Sequence, residues 1–208
     1  MDLIKKEDLI RKFDKQAGMY EENRKKMILS HWRSQLLQDV KGDVLEVGVG
    51  AGANFPYYDP SLTRINAVDF SPEMLIRAKR AAEEFGLCAA FLQSDIETLE
   101  CHENSFDTIV STLSLCSYSN PELVLRKFQG WCRKDGRILL MEHGIGANPI
   151  LGTLQKISNP VVSKFSGCRI DRDMMKIIEQ SGMIVERAEH YFFGTIHLVW
   201  ARPGVPNS

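Results

Sequence analysis

The 208-residue sequence lacks any run of apolar residues long enough to cross a membrane as a helix. Its first twenty residues alternate charged and apolar side chains and have no apolar centre of signal-peptide length. These two absences predict a soluble, cytoplasmic protein without an integral membrane segment.

An excess of charge of one sign is also absent. The sequence has 26 Lys and Arg residues against 27 Asp and Glu residues, which gives a formal net charge of −1. General binders of nucleic acid or anionic membranes usually carry a basic excess, although a balanced total leaves room for a local patch. We therefore expect no nucleic-acid partner.

Cysteines are few and scattered, and none of them form a Cys-x-x-Cys pair. They are Cys88, Cys101, Cys116, Cys132 and Cys168. This spacing argues against a structural zinc site and against a disulfide scaffold. We therefore expect reduced thiols and no metal.

Short apolar runs alternate with segments of helical periodicity along most of the chain. The runs predicted as strands are 44–47, 64–69, 87–93, 106–111 and 136–142, followed by 183–191 and 195–201. Strands that alternate with helices imply parallel pairing, and the tight Phe193-Gly194 connection indicates a terminal hairpin. The predicted fold is α/β: a doubly wound, mostly parallel seven-stranded sheet with a C-terminal antiparallel hairpin.

The pattern predicts one domain, 1–208, in four parts. They are an N-terminal helical cap (1–42), a cofactor-binding core (43–142), a lid-like insertion (143–170), and a C-terminal helix and hairpin (171–208). The insertion, with four glycines and two prolines between His143 and Gly167, is expected to be irregular or partly helical. Its apolar residues either close over a ligand as a lid or complete the core.

In the cap, the apolar residues Ile28, Trp32, Leu36 and Val40 recur at every fourth position. This spacing predicts one apolar helix face.

The strongest motif is a glycine-rich loop directly after the first predicted strand. Glu46 lies in that strand, and Gly48, Gly50 and Gly52 follow at every second position. A loop without Cβ atoms can turn tightly and lets a ligand lie against its backbone. The relaxed dinucleotide fingerprint G-x-G-x-x-G/A also fits here, but it is weak alone, and dinucleotide binders usually carry an apolar residue where Glu46 stands.

Two further acidic residues follow the next two predicted strands. Asp69 ends the second strand and can accept hydrogen bonds from ribose hydroxyls. Asp95 follows the third strand and suits the exocyclic amine of an adenine, although it could instead cap a loop. Phe70 and Ile96 could enclose the ring between them.

These residues carry a resemblance to class I S-adenosylmethionine-dependent methyltransferases, whose ExGxGxG hallmark is unbroken here from Glu46 to Gly52. The resemblance implies S-adenosylmethionine as the cofactor. The residues expected to bind it are Tyr20, Glu46, Gly48, Gly50, Gly52, Asn54, Asp69, Phe70, Met74, Asp95, Ile96 and Leu113.

Shorter stretches resemble particular subgroups. Residues 46–56 resemble bacterial phospholipid N-methyltransferases and the quinone-biosynthesis group, whereas 111–117, 141–144 and 167–172 resemble alkyl-thiol methyltransferases. From the first residues of the sequence we expect no hydrophobic N-terminal anchor like that of the microsomal members. In the family, a tyrosine placed like Tyr20 often approaches the methionine end of the cofactor, although Tyr20 could instead pack between helices.

The expected reaction is methyl transfer to a small, fairly apolar acceptor through a thiol, amine or hydroxyl. His143 follows the fifth predicted strand and could act as a general base, or it could only hydrogen-bond a loop carbonyl. Cys116 lies near the expected methyl position, where a wall residue is the simpler interpretation. A non-catalytic adenosylmethionine-binding module and an NAD-dependent oxidoreductase are the alternatives, and the chain could be a monomer or a homodimer.

Overall fold

Seven strands form a single sheet in a computed structural model that describes residues 6–204. The strands are β1 (Gly42–Val47), β2 (Thr63–Asp69), β3 (Ala89–Gln93), β4 (Phe106–Thr112), β5 (Cys132–His143), β6 (Ile184–Tyr191) and β7 (Ile196–Arg202). Their order is β3-β2-β1-β4-β5-β7-β6. Strands β1 to β5 are parallel, and β7 runs antiparallel between β5 and β6. The predicted fold class is therefore confirmed.

Within residues 6–204, six helices accompany the sheet. They are α1 (Lys6–Lys25), α2 (Ser30–Leu37), α3 (Pro72–Glu84), α4 (Pro121–Trp131), α5 (Pro149–Ser166) and α6 (Met174–Gln180), with 3-10 turns at Phe55–Tyr57 and Leu115–Ser117. The side chains of Ser71 and Asn120 cap the starts of α3 and α4 by accepting hydrogen bonds from backbone N–H groups. None of the helices in residues 6–204 is long and apolar enough to cross a membrane.

The sheet buries side chains on both faces, as parallel strands require. Leu45 and Ile109 belong to the core that Phe128 of α4 covers. Val44 and Val110 belong to the core on the opposite face. Strand order reverses at β1, which lies between β2 and β4, so the loops that leave β1 and β4 diverge and open a crevice at their carboxyl ends.

Helix α2 is shorter than the apolar periodicity predicts. Met27 and Leu29 adopt left-handed backbone conformations, with φ of 52° and 62°, so the helix begins only at Ser30. Ile28 is consequently 47% exposed and does not share the buried face of Leu36. The prediction that Ile28 and Val40 belong to this helix was wrong, because a fourfold spacing does not reveal a backbone turn between its members.

The segment expected to be irregular is instead a regular helix, α5. Asn148 caps its start by accepting hydrogen bonds from the backbone N–H groups of Ile150 and Leu151. Gly167 ends it in the left-handed conformation that favours glycine, with φ of 83°. Pro160 lies inside the helix without interrupting it.

Helix α5 has its polar side facing the protein and its apolar side facing outward. Gly152 and Asn159 are its buried residues, and the amide of Gln155 donates to the carbonyls of Gly144 and Ile170. The large exposed apolar residues of the helix form one stripe, namely Ile150, Leu154, Ile157, Val161 and Phe165. Exposures of 75% for Ile150 and 73% for Phe165 show that these side chains do not complete the core.

Candidate active site

A cavity of about 230 Å³ opens at the carboxyl ends of β1, β2 and β4. Its floor is the glycine loop after β1, and one wall is α1, which contributes Phe13 and Tyr20. The other end is lined by residues after β4 and β5 and by Cys168 beyond α5. The cavity therefore lies at the crevice where open α/β sheets bind ligands.

Gly48, Gly50 and Gly52 all have positive φ, but they have different structural roles in the loop. A Cβ on Gly48 would lie 2.6 Å from the Cβ of Ser114, and one on Gly52 would lie 2.8 Å from Phe55 Cδ2. These two glycines allow close packing. Gly50 lines the cavity, and a Cβ there would meet only Tyr20 at 3.7 Å, so Gly50 leaves the floor open to a ligand.

Asp69 joins this loop to the next one. Its Oδ2 accepts from the backbone N–H of Gly50 at 2.9 Å, and its Oδ1 accepts from that of Ser71 at 2.9 Å. Burial raises the pKa of Asp69 to about 6, against the lowering effect of these backbone hydrogen bonds. Asp69 also lines the cavity, so one carboxylate both fixes the floor and faces a ligand.

Behind the floor, Glu46 centres a buried polar network. Its Oε2 accepts from the hydroxyl of Tyr58 at 2.8 Å, and its Oε1 accepts from the amide of Asn54 at 2.9 Å. Asn54 in turn accepts from the guanidinium of Arg33, which also donates to Thr112 Oγ1 at 3.0 Å. Arg33 and Thr112 line the cavity, whereas Glu46 and Asn54 support them from below.

At the far end of the cavity, three segments bring Cys116, His143 and Cys168 together. One sulfur or ring nitrogen from each residue lies within 4.8 Å of the others. Ser117 Oγ lies 3.5 Å from Cys168 Sγ. Backbone hydrogen bonds hold the segments in place, because Arg169 N–H donates to the carbonyl of Cys116 at 3.2 Å.

The thiols and the imidazole of this cluster polarise one another. The hydrogen bond from Cys116, assisted by His143, lowers the pKa of Cys168 to about 4 despite burial. Burial is the largest effect on the pKa of His143 and lowers it, but the hydrogen bond to Cys168 and the charges of Cys168 and Glu142 together raise that pKa overall. The cluster therefore places a nucleophilic, metal-binding type of side chain at the cavity wall.

Known proteins resemble this chain in sequence and in fold. A family model described as a methyltransferase domain matches residues 45–140. By this match, the chain carries a class I S-adenosylmethionine-dependent methyltransferase domain at residues 45–140. It is 36% identical to phosphatidylethanolamine N-methyltransferase of Cereibacter sphaeroides over 49% of this chain and 51% of that protein. It is 28% identical to human thiol S-methyltransferase TMT1A over 72% of this chain and 63% of that protein.

The fold is shared with solved structures of the same class. A crystal structure of a SAM dependent methyltransferase from Aquifex aeolicus superposes with a TM-score of 0.65 at 17% identity, covering 91% of this chain and 97% of that one. The chain spans between half and two thirds of the length of the two curated relatives named above.

The cofactor of this methyltransferase family is S-adenosylmethionine, and the cavity residues fit it. The Asp69 carboxylate suits ribose hydroxyls, beside the open backbone at Gly50. At the cavity wall, Arg33 has a buried Nε without a hydrogen-bond partner in the part of the chain that the structure describes. A guanidinium in this position suits the carboxylate of the methionine end.

Many, but not all, of the residues expected from the sequence lie at the cavity. Those that line it are Tyr20, Gly48, Gly50, Asp69, Phe70, Met74, Leu113 and His143; those that do not are Glu46, Gly52, Asn54, Asp95 and Ile96. The cavity also has lining residues that were not predicted as site residues, among them Phe13, Arg33, Thr112, Ser114, Ser117, Tyr118 and Cys168. One feature of the sequence could have pointed to Arg33, because it is a charged residue among the apolar residues of a predicted helix.

Asp95 and Ile96 lie apart from the cavity for separate reasons. Asp95 Oδ1 accepts a hydrogen bond from the backbone N–H of Glu97 at 3.0 Å. Asp95 therefore caps its loop, which was the alternative to a role at an adenine. Asp95 Oδ2 also pairs with Lys6 Nζ at 2.8 Å, and that ammonium lies 4.7 Å from the ring centre of Phe70. Ile96 is 2% exposed in the core under α4. A role of these residues at an adenine stays a prediction.

Replacing Asp69 by alanine should weaken the binding of S-adenosylhomocysteine by about 1.5–3 kcal/mol, the range for losing hydrogen bonds to a charged group. It should also lower the melting temperature, because two backbone N–H groups lose their acceptor. Titration calorimetry and thermal unfolding measure the two effects. Asp59→Ala, which removes an exposed turn-capping carboxylate outside the cavity, is the matched control. Unchanged affinity in a folded Asp69→Ala variant would remove Asp69 from the site.

The pH dependence of stability should report the buried Glu46. Burial raises the pKa of Glu46 to about 7, against the lowering effects of Tyr58, Asn54 and Arg33. Below pH 4.5 the folded and unfolded chains both hold this proton. Between pH 4.5 and 7 the unfolded chain has released this proton whereas the folded chain still holds it, so stability falls across this range, by up to on the order of 3 kcal/mol, and levels off above it.

Glu46→Gln should therefore flatten the decline in unfolding free energy between pH 4.5 and 7.5, measured by urea unfolding of the cofactor-free chain. Glu7→Gln changes an exposed side chain and serves as the control. Parallel curves for the Glu46→Gln variant and the unchanged chain would contradict the assignment.

Proposed function

We propose that this chain transfers the methyl group of S-adenosylmethionine to a small, fairly apolar acceptor, and that the favoured acceptor atom is a thiol sulfur. The observation that carries the proposal is one continuous cavity with Asp69 and Gly50 at one end and His143 and Cys168 at the other. A relative named as a thiol S-methyltransferase supports the choice of sulfur.

The division of the cavity suits methyl transfer. S-adenosylmethionine supplies a methyl group activated on a sulfonium, and the protein has to align the acceptor and exclude water. Asp69 and Arg33 would hold the two polar ends of the cofactor. Phe13, Tyr20 and Leu113 line the space between them and present mainly apolar surface.

A thiol acceptor has to lose its proton before or during the reaction, and the cluster of Cys116, His143 and Cys168 is the titratable group placed to serve it. His143 and Cys168 both line the cavity. An amine or hydroxyl acceptor would need the same help, with a stronger base for the hydroxyl. A thiol, whose ordinary pKa lies near 8.5, loses its proton most easily of the three acceptors and therefore needs the weakest base.

The lid-like insertion expected at 143–170 lines the cavity at its two ends, through His143 and Cys168. Residues 145–165 do not line it, because the inward side of α5 consists of small and polar residues that bond the loops below it. Acceptor contacts therefore fall to α1 and to Cys168, which follows α5 directly. Helix α5 positions Cys168 through Gly167, whose Cβ position is filled by Phe13 and Leu9 of α1.

The expected partner is the small acceptor itself, in the cytoplasm, with the chain as a monomer or homodimer. A near-neutral formal charge of −1 supports the absence of a nucleic-acid partner.

Methyl transfer should be detected by incubating the chain with methyl-labelled S-adenosylmethionine and a panel of apolar thiols, amines and phenols. We expect turnover with thiols, and His143→Ala should lower it by roughly 10²–10⁴-fold, the usual contribution of an acid–base group. Affinity for S-adenosylhomocysteine should stay within a few-fold. His31→Ala, an exposed histidine outside the cavity, is the control. Turnover with amines alone would contradict the choice of sulfur, and binding without any turnover would favour a non-catalytic module.

A further inference from the structure

The cluster at the far end of the cavity has the composition of a metal site. Its three ligand atoms are two sulfurs and one imidazole nitrogen, all within 4.8 Å of one another. They come from segments far apart in sequence: the turn after β4 (Cys116), the end of β5 (His143) and the loop after α5 (Cys168). Hydrogen bonds from Arg172 to the carbonyls of Leu115 and Cys116 hold the last loop against the first turn.

Two thiolates and an imidazole are a preferred donor set for Zn²⁺. With Zn–S distances of about 2.3 Å and Zn–N distances of about 2.0–2.1 Å, tetrahedral ligand atoms lie roughly 3.5–4 Å apart. The present separations need only a small contraction to reach that geometry. Sites with three protein ligands keep a fourth position open for a substrate.

The surroundings also favour a cation. Glu142 precedes His143 on β5 and is completely buried, and its Oε2 has no hydrogen-bond partner among residues 6–204. Its Oε1 accepts from Ser111 Oγ at 2.8 Å and from two backbone N–H groups of the turn that carries Cys116. A buried carboxylate oxygen without a partner is costly unless positive charge lies nearby.

The open position would face the ligand cavity. Cys116 is fully buried behind the wall, whereas His143 and Cys168 line the same cavity as Gly50 and Asp69. Any fourth ligand therefore has to come from the cavity, where the acceptor is expected.

We propose that Cys116, His143 and Cys168 bind a Zn²⁺ ion whose open position holds the methyl acceptor as a thiolate. The inference rests on the proposed function for its choice of acceptor. On binding, the thiol releases its proton to solvent, as metal coordination requires, so with the ion bound His143 serves as a metal ligand and not as the base that takes this proton. A sulfur lone pair then forms the bond to the methyl carbon while the bond from that carbon to the sulfonium sulfur breaks. The products are a thioether and S-adenosylhomocysteine, and the metal keeps its oxidation state.

The first test measures metal in the full chain, purified under reducing conditions and dialysed against Zn²⁺ or Co²⁺. We expect one metal ion per chain and, with Co²⁺, a thiolate-to-cobalt charge-transfer absorption. Cys168→Ser and Cys116→Ser should remove that absorption. Cys101→Ser should retain it, because this half-buried thiol borders a different cavity. A chain that binds no stoichiometric metal, or a spectrum unaffected by both cluster variants, would overturn the proposal.

The second test separates the metal from the proposed function. Addition of an apolar thiol should change the cobalt spectrum without S-adenosylmethionine present. Chelation should lower thiol methylation by roughly 10²–10³-fold, the loss typical of one strong electrostatic stabiliser, and Zn²⁺ should restore it. Full methylation by the chelated chain would refute the metal site and leave methyl transfer intact. Failure to bind S-adenosylhomocysteine would refute the proposed function, whatever the cobalt spectrum shows.

Discussion

The buried carboxylate of Glu46 connects the elements that shape the cofactor end of the cavity. It lies on β1 at 2% exposure, and hydrogen bonds tie it to Asn54 in the glycine loop and to Tyr58 after the following turn. Asn54 extends the connection to Arg33 on α2 and to Thr112 on β4. A buried charge is tolerated only when its hydrogen bonds are complete, so this network fixes the loop relative to both neighbours.

This constraint explains why the hallmark acid of the sequence does not face the cavity. The glycines have no side chains above the loop backbone that forms the cavity floor. The hydrogen-bond network on the other side of this loop holds the Arg33 guanidinium at the cavity wall. The acid therefore acts through Arg33 and the shape of the loop. Asp69, one strand away, combines both tasks, because its two carboxylate oxygens hold the loops while it lines the cavity.

Helix α5 shows where pattern reasoning about a segment fails. The spacing of its apolar residues predicts a helix face, but periodicity does not state which face turns inward. Here Gln155 and Asn159 bond the backbone of the loops at Gly144 and Ile170, so the polar side of the helix faces inward. Proline and glycine suggested irregularity, yet Pro149 occupies the first turn and Gly167 the C-terminal end, where both residues are favoured.

The sequence by itself determined the α/β class, the parallel core, the terminal hairpin and the glycine loop between two acidic strand ends. These features depend on local periodicity and on the residues at turns. Residues close together in the sequence determine both, whatever the rest of the chain does. Only the tertiary structure decided that Arg33 reaches the cavity, that Asp95 pairs with Lys6, and that Cys116, His143 and Cys168 meet. Cys116 and Cys168 are fifty-two positions apart, and their approach depends on how β4, β5 and the loop after α5 converge at one edge of the sheet. No spacing rule encodes that convergence, because it is produced by packing across the whole core.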